Sequence, residues 1–185
     1  METSHPIRDK LQLNLLRKCL KEVSYRDYCL FEVGLNGAYR VTDLLQLRIK
    51  DVSEGVGVIK SRYPNGMPIS SEAHYALTRY LSEREKYLPD DPLFVSRKRK
   101  NGQLAPIQRD IVYKTLRRAA IKAGINLPIG CHTMRKSWGY HEVLSGRKLS
   151  SVKKILNHPS IKSTLSYIGF TAEEIREILS QHSRP

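Results

Sequence analysis

One phenol, two imidazoles and two guanidiniums stand in an order that suits chemistry on a phosphodiester. Arg40 lies far upstream, His132-Thr-Met-Arg135 sets an imidazole and a guanidinium three residues apart, and Tyr167 comes nine residues after His158. On a helix, His132 and Arg135 share one face and can reach one ligand. A guanidinium matches phosphate oxygens two at a time, and its charge cannot be titrated away. A nucleophile among fixed cations is what metal-free attack on a DNA phosphate needs. A His-x-x-Arg pair alone is also what a solvated helix face carries, so the rest of the chain must decide.

The 32 Lys+Arg against 18 Asp+Glu leave a net charge of +14, a self-repulsion that a polyanion relieves. Double-stranded DNA is the expected partner. A membrane surface is the rival polyanion, but no apolar run approaches the roughly 18 residues of a spanning segment, and no long helix is basic on one face and apolar on the other. The N-terminus lacks the charged start and apolar stretch of a secretion signal, which predicts a cytoplasmic, DNA-associated protein. Cys19, Cys29 and Cys131 are odd in number and show no paired spacing, so reduced thiols are expected. Metal is not expected, because Cys131, His132, His141 and His158 lack the short pair spacing of a structural zinc site. Gly55-Val-Gly57 lacks the third glycine of a dinucleotide loop, and no cofactor is expected.

The elements that must carry these residues read as mainly α with a small antiparallel β-sheet, an α+β fold in one domain over 1–185. Asp9 opens an apolar helical pattern through Leu11, Leu15, Leu16 and Leu20, and Ser24 with Asp27 opens a second through Leu35. After the Leu35-Asn-Gly37 break, Arg40 to Leu47 reads as a short helix with Arg40 at its start, where backbone amides would add to an anion site. β-branched residues from Ile49 to Ser70, punctuated by glycines and Pro64-Asn-Gly66, read as the sheet. Ser71 to Leu88 is a predicted helix, Leu93-Phe-Val95 a brief strand and Arg97-Lys-Arg-Lys100-Asn-Gly102 a basic loop. Pro106 to Gly124, His132 to Leu144, Ser151 to Leu156 and Thr171 to Leu179 complete the helices, the last opened by the capping box Thr171-x-x-Glu174. Trp138 and His141 read as core or supporting residues beside Arg135.

Three boxes taken together resemble one family. They are Gly34-Leu-Asn-Gly-Ala-Tyr-Arg40-Val-Thr-Asp-Leu-Leu-Gln-Leu, His132-Thr-Met-Arg135-Lys-Ser-Trp-Gly-Tyr-His, and Leu156-Asn-His158-Pro-Ser-Ile-Lys-Ser-Thr-Leu-Ser-Tyr167-Ile-Gly. In order, spacing and flanking residues these resemble the tyrosine recombinases, or phage integrase family, from about Asp9 to Leu179. The resemblance implies a catalytic set of Arg40, Lys60, His132, Arg135, His158 and Tyr167. Lys60 ends the Val-Gly-Val-Ile-Lys strand, and Arg62 shares its strand face. Two departures bear on backbone geometry: Asn36-Gly-Ala-Tyr39 replaces the usual Thr-Gly-Leu before the first arginine, and Asn157 replaces the usual glycine before the third-box histidine.

Each role has a physical reason. A phenol with an ordinary pKa near 10 needs positive surroundings and a base, the part that the resemblance gives to His132. Arg40 and Arg135 would hold the non-bridging oxygens and offset the charge gathering on phosphorus, with a hydrogen bond added by His158. Lys60 would protonate the departing 5′ oxygen. Arg62, Arg97, Lys98, Arg99, Lys100 and Lys136 are expected to contact the DNA. The implied protein is a bacterial or mobile-element recombinase that cleaves and rejoins DNA through a 3′-phosphotyrosyl intermediate. It would work as a homo-tetramer on DNA and as a monomer when free, with helix 171–180 exchanged between subunits and the family's N-terminal core-binding domain absent. The alternatives are a type IB topoisomerase-like relaxation activity or a non-catalytic DNA-binding protein on the same fold.

Overall fold

A computed structural model describes residues 4–84, 86–98 and 102–182. Ten helices and one hairpin follow in chain order among these residues: α1 (Lys10–Val23), α2 (Tyr25–Asn36), α3 (Val41–Leu44), α4 (Ile49–Val52), β1 (Ser53–Gly55), β2 (Val58–Ile59), α5 (Ser71–Ser82), α6 (Arg109–Lys122), α7 (Thr133–Leu144), α8 (Leu149–Leu156), α9 (Ile161–Tyr167) and α10 (Ala172–His182). The mainly helical class with a small antiparallel sheet holds. α2 is the central element, buried from Asp27 through Leu35 and packed on α1, α5 and α7. Its two carboxylates are tolerated there because each meets a guanidinium, Asp27 with Arg26 at 2.7 Å and Glu32 with Arg17 at 2.6 Å. Gly34 lets α2 and α7 cross closely, since a Cβ there would lie 2.6 Å from the Met134 sulfur.

Several predicted elements are redrawn. Ile49 and Val52, expected in the sheet, lie in α4, because Asp51 accepts the Arg48 N–H at 2.8 Å and the two apolar residues fall three apart on a helix face. The sheet is only β1 and β2, with Ser53 opposite Ile59 and the turn made by Val56 and a left-handed Gly57 (φ 76°). α5 stops at Ser82 instead of Leu88, where Arg84 turns away to donate to the Pro92 carbonyl and pair with Asp91. Pro106 does not start a helix. It bridges Val95, the Ile107 N–H bonds the Phe94 carbonyl, and α6 begins at Arg109. The expected strand at Leu93–Val95 is reduced to isolated bridges at its two ends. The sequence reading missed α9, although Ser160 and Ser163 form a reciprocal cap at its start. The Thr171–Glu174 box caps α10, with bonds of 2.6 and 3.2 Å.

α10 packs on its own chain. Ile175 is buried, Ile178 and Leu179 rest against the core, and Glu174 takes a two-pronged bond from Arg8 at 2.9 and 3.1 Å. Among the described residues, no helix is long and apolar enough to cross a membrane.

Candidate active site

Arg40 is the exposed N-cap of α3, and the loop that aims it is fixed from two sides. Asn65 in the Pro64-Asn-Gly66 turn donates to the Gly37 carbonyl at 2.9 Å, and Asn36 accepts the Ser70 N–H at 3.0 Å. Tyr39 packs edge-on against Tyr63 with ring centres 5.7 Å apart. Gly37 leaves room for this fold of the chain, because a Cβ there would lie 2.5 Å from the Tyr39 ring. Ala38 is held left-handed at φ 52°, which costs a residue with a Cβ roughly 1–2 kcal/mol. That cost turns its carbonyl toward Arg135. At four residues, α3 is too short for its amides to make the expected anion site.

Arg135 sits in the first turn of α7 and is only 6 % exposed. Its guanidinium donates to the Ala38 carbonyl and, at 2.9 Å, to the Leu156 carbonyl at the end of α8. Two carbonyls from separate elements therefore orient it without neutralising it. Burial lowers its pKa, the nearby Tyr167 and Asp43 raise it, and Arg40 lowers it further. The Arg40 charge acts on all four of its expected partners, His132, Arg135, His158 and Tyr167. The two arginines thus act on the same set of side chains.

Asn157 closes α8 in the left-handed conformation (φ 49°, ψ 52°), the C-cap position that glycine or asparagine fills. The turn it makes releases His158 toward Tyr167, the two rings meeting edge-on with centres 4.7 Å apart. His158 Nδ1 is buried without a partner among the described residues. Burial, then Arg135 and Arg40, hold His158 below the usual imidazole range. His132 is the exposed N-cap of α7, lowered first by burial and then by Arg109, Lys136, Arg135 and Arg40. Both imidazoles are therefore neutral near pH 7, able to accept a proton. Tyr167 ends α9 half-buried. Burial raises its pKa while Arg135, Arg40 and a hydrogen bond with Arg135 pull it back, with a net rise. The phenol rests protonated.

α9 is seated by a close approach to α7, where a Cβ on Gly139 would lie 2.6 Å from Ile168, the residue after Tyr167. Gly139→Ala should therefore cost about 1–3 kcal/mol in urea unfolding and displace the phenol, slowing any reaction at Tyr167. A variant of unchanged stability and rate would show that α9 is not held there.

The remaining expected residues fall outside this locus or on its edge. Lys60 follows β2 with its N–H bonded to Val52, half-buried at the hairpin. Arg62 is exposed and spends one donor on the Gly66 carbonyl, bracing its own turn. Arg97 and Lys98 are exposed, while Arg99 and Lys100 lie outside the described residues. Lys136, expected on the DNA-facing surface, is instead buried at 9 %, its ammonium donating to the Ser4 carbonyl at 2.8 Å. The reason is steric: α7 is covered by the N-terminal segment at that position. Trp138 is buried and His141 bonds the Ile7 carbonyl, both supporting residues as expected. The sequence reading missed Arg109, the strongest charge on His132, and the Tyr39, Ala38 and Asn65 brace. Of these only Asn65, in a Pro-Asn-Gly turn, carried a local signal.

Comparison with known proteins agrees with this geometry. A sequence profile described as the phage integrase family matches residues 7–174. The chain is 33 % identical over 184 residues to the probable integrase/recombinase YoeC of Bacillus subtilis, covering 95 % of each. It is 28 % identical over 163 residues to the tyrosine recombinase XerD of Corynebacterium glutamicum, covering 84 % of this chain and 52 % of that protein. It therefore spans nearly all of YoeC but about half of that XerD. The fold superposes on XerA recombinase with a TM-score of 0.74 at 23 % identity, covering this whole chain and 66 % of that one. XerH site-specific recombinase, in a post-cleavage complex with its palindromic difH substrate, gives 0.69 at 21 %. With that profile matched over most of its length and YoeC 33 % identical across nearly the whole of both chains, the chain belongs to the phage integrase family, the tyrosine recombinases.

Proposed function

We propose that this chain is a site-specific DNA recombinase that cleaves and rejoins double-stranded DNA through Tyr167. The observation that carries the reading is the convergence of Arg40, Arg135 and His158 on the Tyr167 phenol. Arg40 and Arg135 hold the non-bridging oxygens of one phosphate, and His158 adds a hydrogen bond to the same group. His132, neutral and at the rim, takes the phenol proton as the oxygen attacks phosphorus. The bond from phosphorus to the 5′ oxygen breaks, Lys60 protonates that oxygen, and a 3′-phosphotyrosyl link remains. A 5′-hydroxyl from another strand reverses the step, so the energy of the original diester is kept and no cofactor is consumed. Arg62, Arg97 and Lys98 would steady the duplex through its phosphates, together with Arg99 and Lys100. Strand exchange between two sites needs four such subunits.

The test is a nicked duplex that loses its 5′-hydroxyl fragment after cleavage, which traps the protein as an adduct resistant to detergent. Peptide mapping should place the DNA on Tyr167. Adduct on another residue, or none on any duplex tested, would overturn the reading. The pH profile has a definite sign. Because His132 is held below the usual imidazole range of about 6.5, the rate should stay level as pH falls from 8 to that range. It should drop only below it, and an acid limb above pH 7 would remove His132 as the base.

A further inference from the structure

The N-terminal segment before α1 is sewn to the nucleophile's surroundings at almost every residue. The His5 N–H bonds the Pro128 carbonyl at 2.9 Å, and the Ile7 N–H bonds the Ser137 hydroxyl at 2.8 Å. Pro6 lies against Gly169, where a Cβ would be 2.8 Å away. Arg8 bonds the Gly169 carbonyl and Glu174, and stacks over the Tyr140 ring at 4.8 Å. Ser4, at the head of this strap, accepts from Lys136, whose ammonium lies 5.2 Å from the centre of the Tyr167 ring. A buried lysine with a carbonyl for its partner carries an uncompensated charge, and a ring face is one of few places where that charge gains anything.

We propose that Lys136 is a positioning residue for the nucleophile: fixed by the Ser4 carbonyl, its ammonium holds the Tyr167 ring and favours the phenolate that forms during attack. This deepens the recombinase reading and rests on it. Lys136 touches no reacting atom in this role. The ammonium acts from the ring face at 5.2 Å, where Arg135 and Arg40 already act on the phenol and His158 meets the ring edge-on. The strap makes the effect conditional. Anything that draws Ser4 away removes the carbonyl that holds the ammonium, so the state of the N-terminal segment is communicated to the phenol about which the chemistry turns.

The experiment compares Lys136→Met, which keeps length without charge, and Lys136→Arg with the wild type, using buried Trp138, the single tryptophan, to report folding. The Tyr167 ionisation is followed by NMR of ring-labelled tyrosine without DNA, its signal assigned with Tyr167→Phe. Lys136→Met should move that titration upward by about half a unit to one unit and slow adduct formation at saturating DNA about three- to tenfold near neutral pH. The deficit should narrow as pH rises, DNA affinity should hold, and Lys136→Arg should recover most of the rate. An unmoved titration overturns the proposal, as does a loss confined to DNA affinity, which would make Lys136 a phosphate contact. If Lys136→Met fails to fold, Lys136→Gln takes its place: an upward move of the titration supports the proposal, and an unmoved titration overturns it. Failure of the recombinase reading looks different, because the wild type would then form no adduct while the titration still moved.

Discussion

Tyr167→Phe abolishes the covalent protein–DNA adduct, a fall of at least about 10⁴-fold, while DNA affinity stays within about twofold. The substitution removes one oxygen. The ring keeps its edge contact with His158 and its place above Lys136, so packing survives. What is lost for stability is one hydrogen bond to Arg135, worth about 1 kcal/mol. Affinity holds because cations, not the phenol, meet the phosphates. A detergent-resistant band on the nicked duplex, quantified against a filter-binding curve, separates the two effects. Residual adduct would direct attention to another of the ten tyrosines. Tyr39, Tyr63 and Tyr80 are poor candidates, because all three hydroxyls are buried and burial raises each pKa.

Arg135→Ala has the second largest effect and the opposite balance of costs. Among the described residues no carboxylate pairs with this guanidinium, so the folded protein keeps a buried cation close to a second one at Arg40. Removing it relieves that repulsion and desolvation but leaves the Ala38 and Leu156 carbonyls unpaired, at about 1–3 kcal/mol each. These terms oppose, so a net stability change within about 3 kcal/mol is expected, readable as a modest shift in Tm. Adduct formation should fall about 10³-fold or more, since a preorganised donor to the developing charge is gone. Vanadate, which adopts five-coordinate geometry, should raise the wild-type Tm and leave the variant's nearly unmoved. A variant that unfolds outright, or one that keeps its rate, contradicts the view that Arg135 is held in place for chemistry at the expense of stability.

The main helices were legible because their signals are local: Asp9 caps α1, Thr171 and Glu174 cap α10, and apolar residues recur at helical spacing. The sheet was overdrawn because β-branched composition at Ile49 and Val52 was outweighed by the Asp51 cap. α5 was drawn too long because its end is set by Arg84 reaching the Pro92 carbonyl and Asp91, which lie beyond the 71–88 pattern. Arg40, His132, Arg135, His158 and Tyr167 are the set that the family resemblance implies from its three boxes; in the fold His158 touches the Tyr167 ring, and the Arg40 charge reaches the other four. Lys136 was expected to contact DNA, but one step along a helix turns a side chain by about 100° from Arg135, and there it is buried against Ser4.

The chain of residues by itself determined which side chains could act, what polyanion they suit and where most helices lie, because charge, capping and periodicity are properties of neighbours. Only the folded molecule decided that Ala38 and Leu156 aim Arg135, that both imidazoles are held below their usual range, and that the Ser4 carbonyl holds Lys136. Those depend on burial and on contacts between residues as many as 132 positions apart. Distances of that kind are set when the core closes around α2, and no local pattern encodes them.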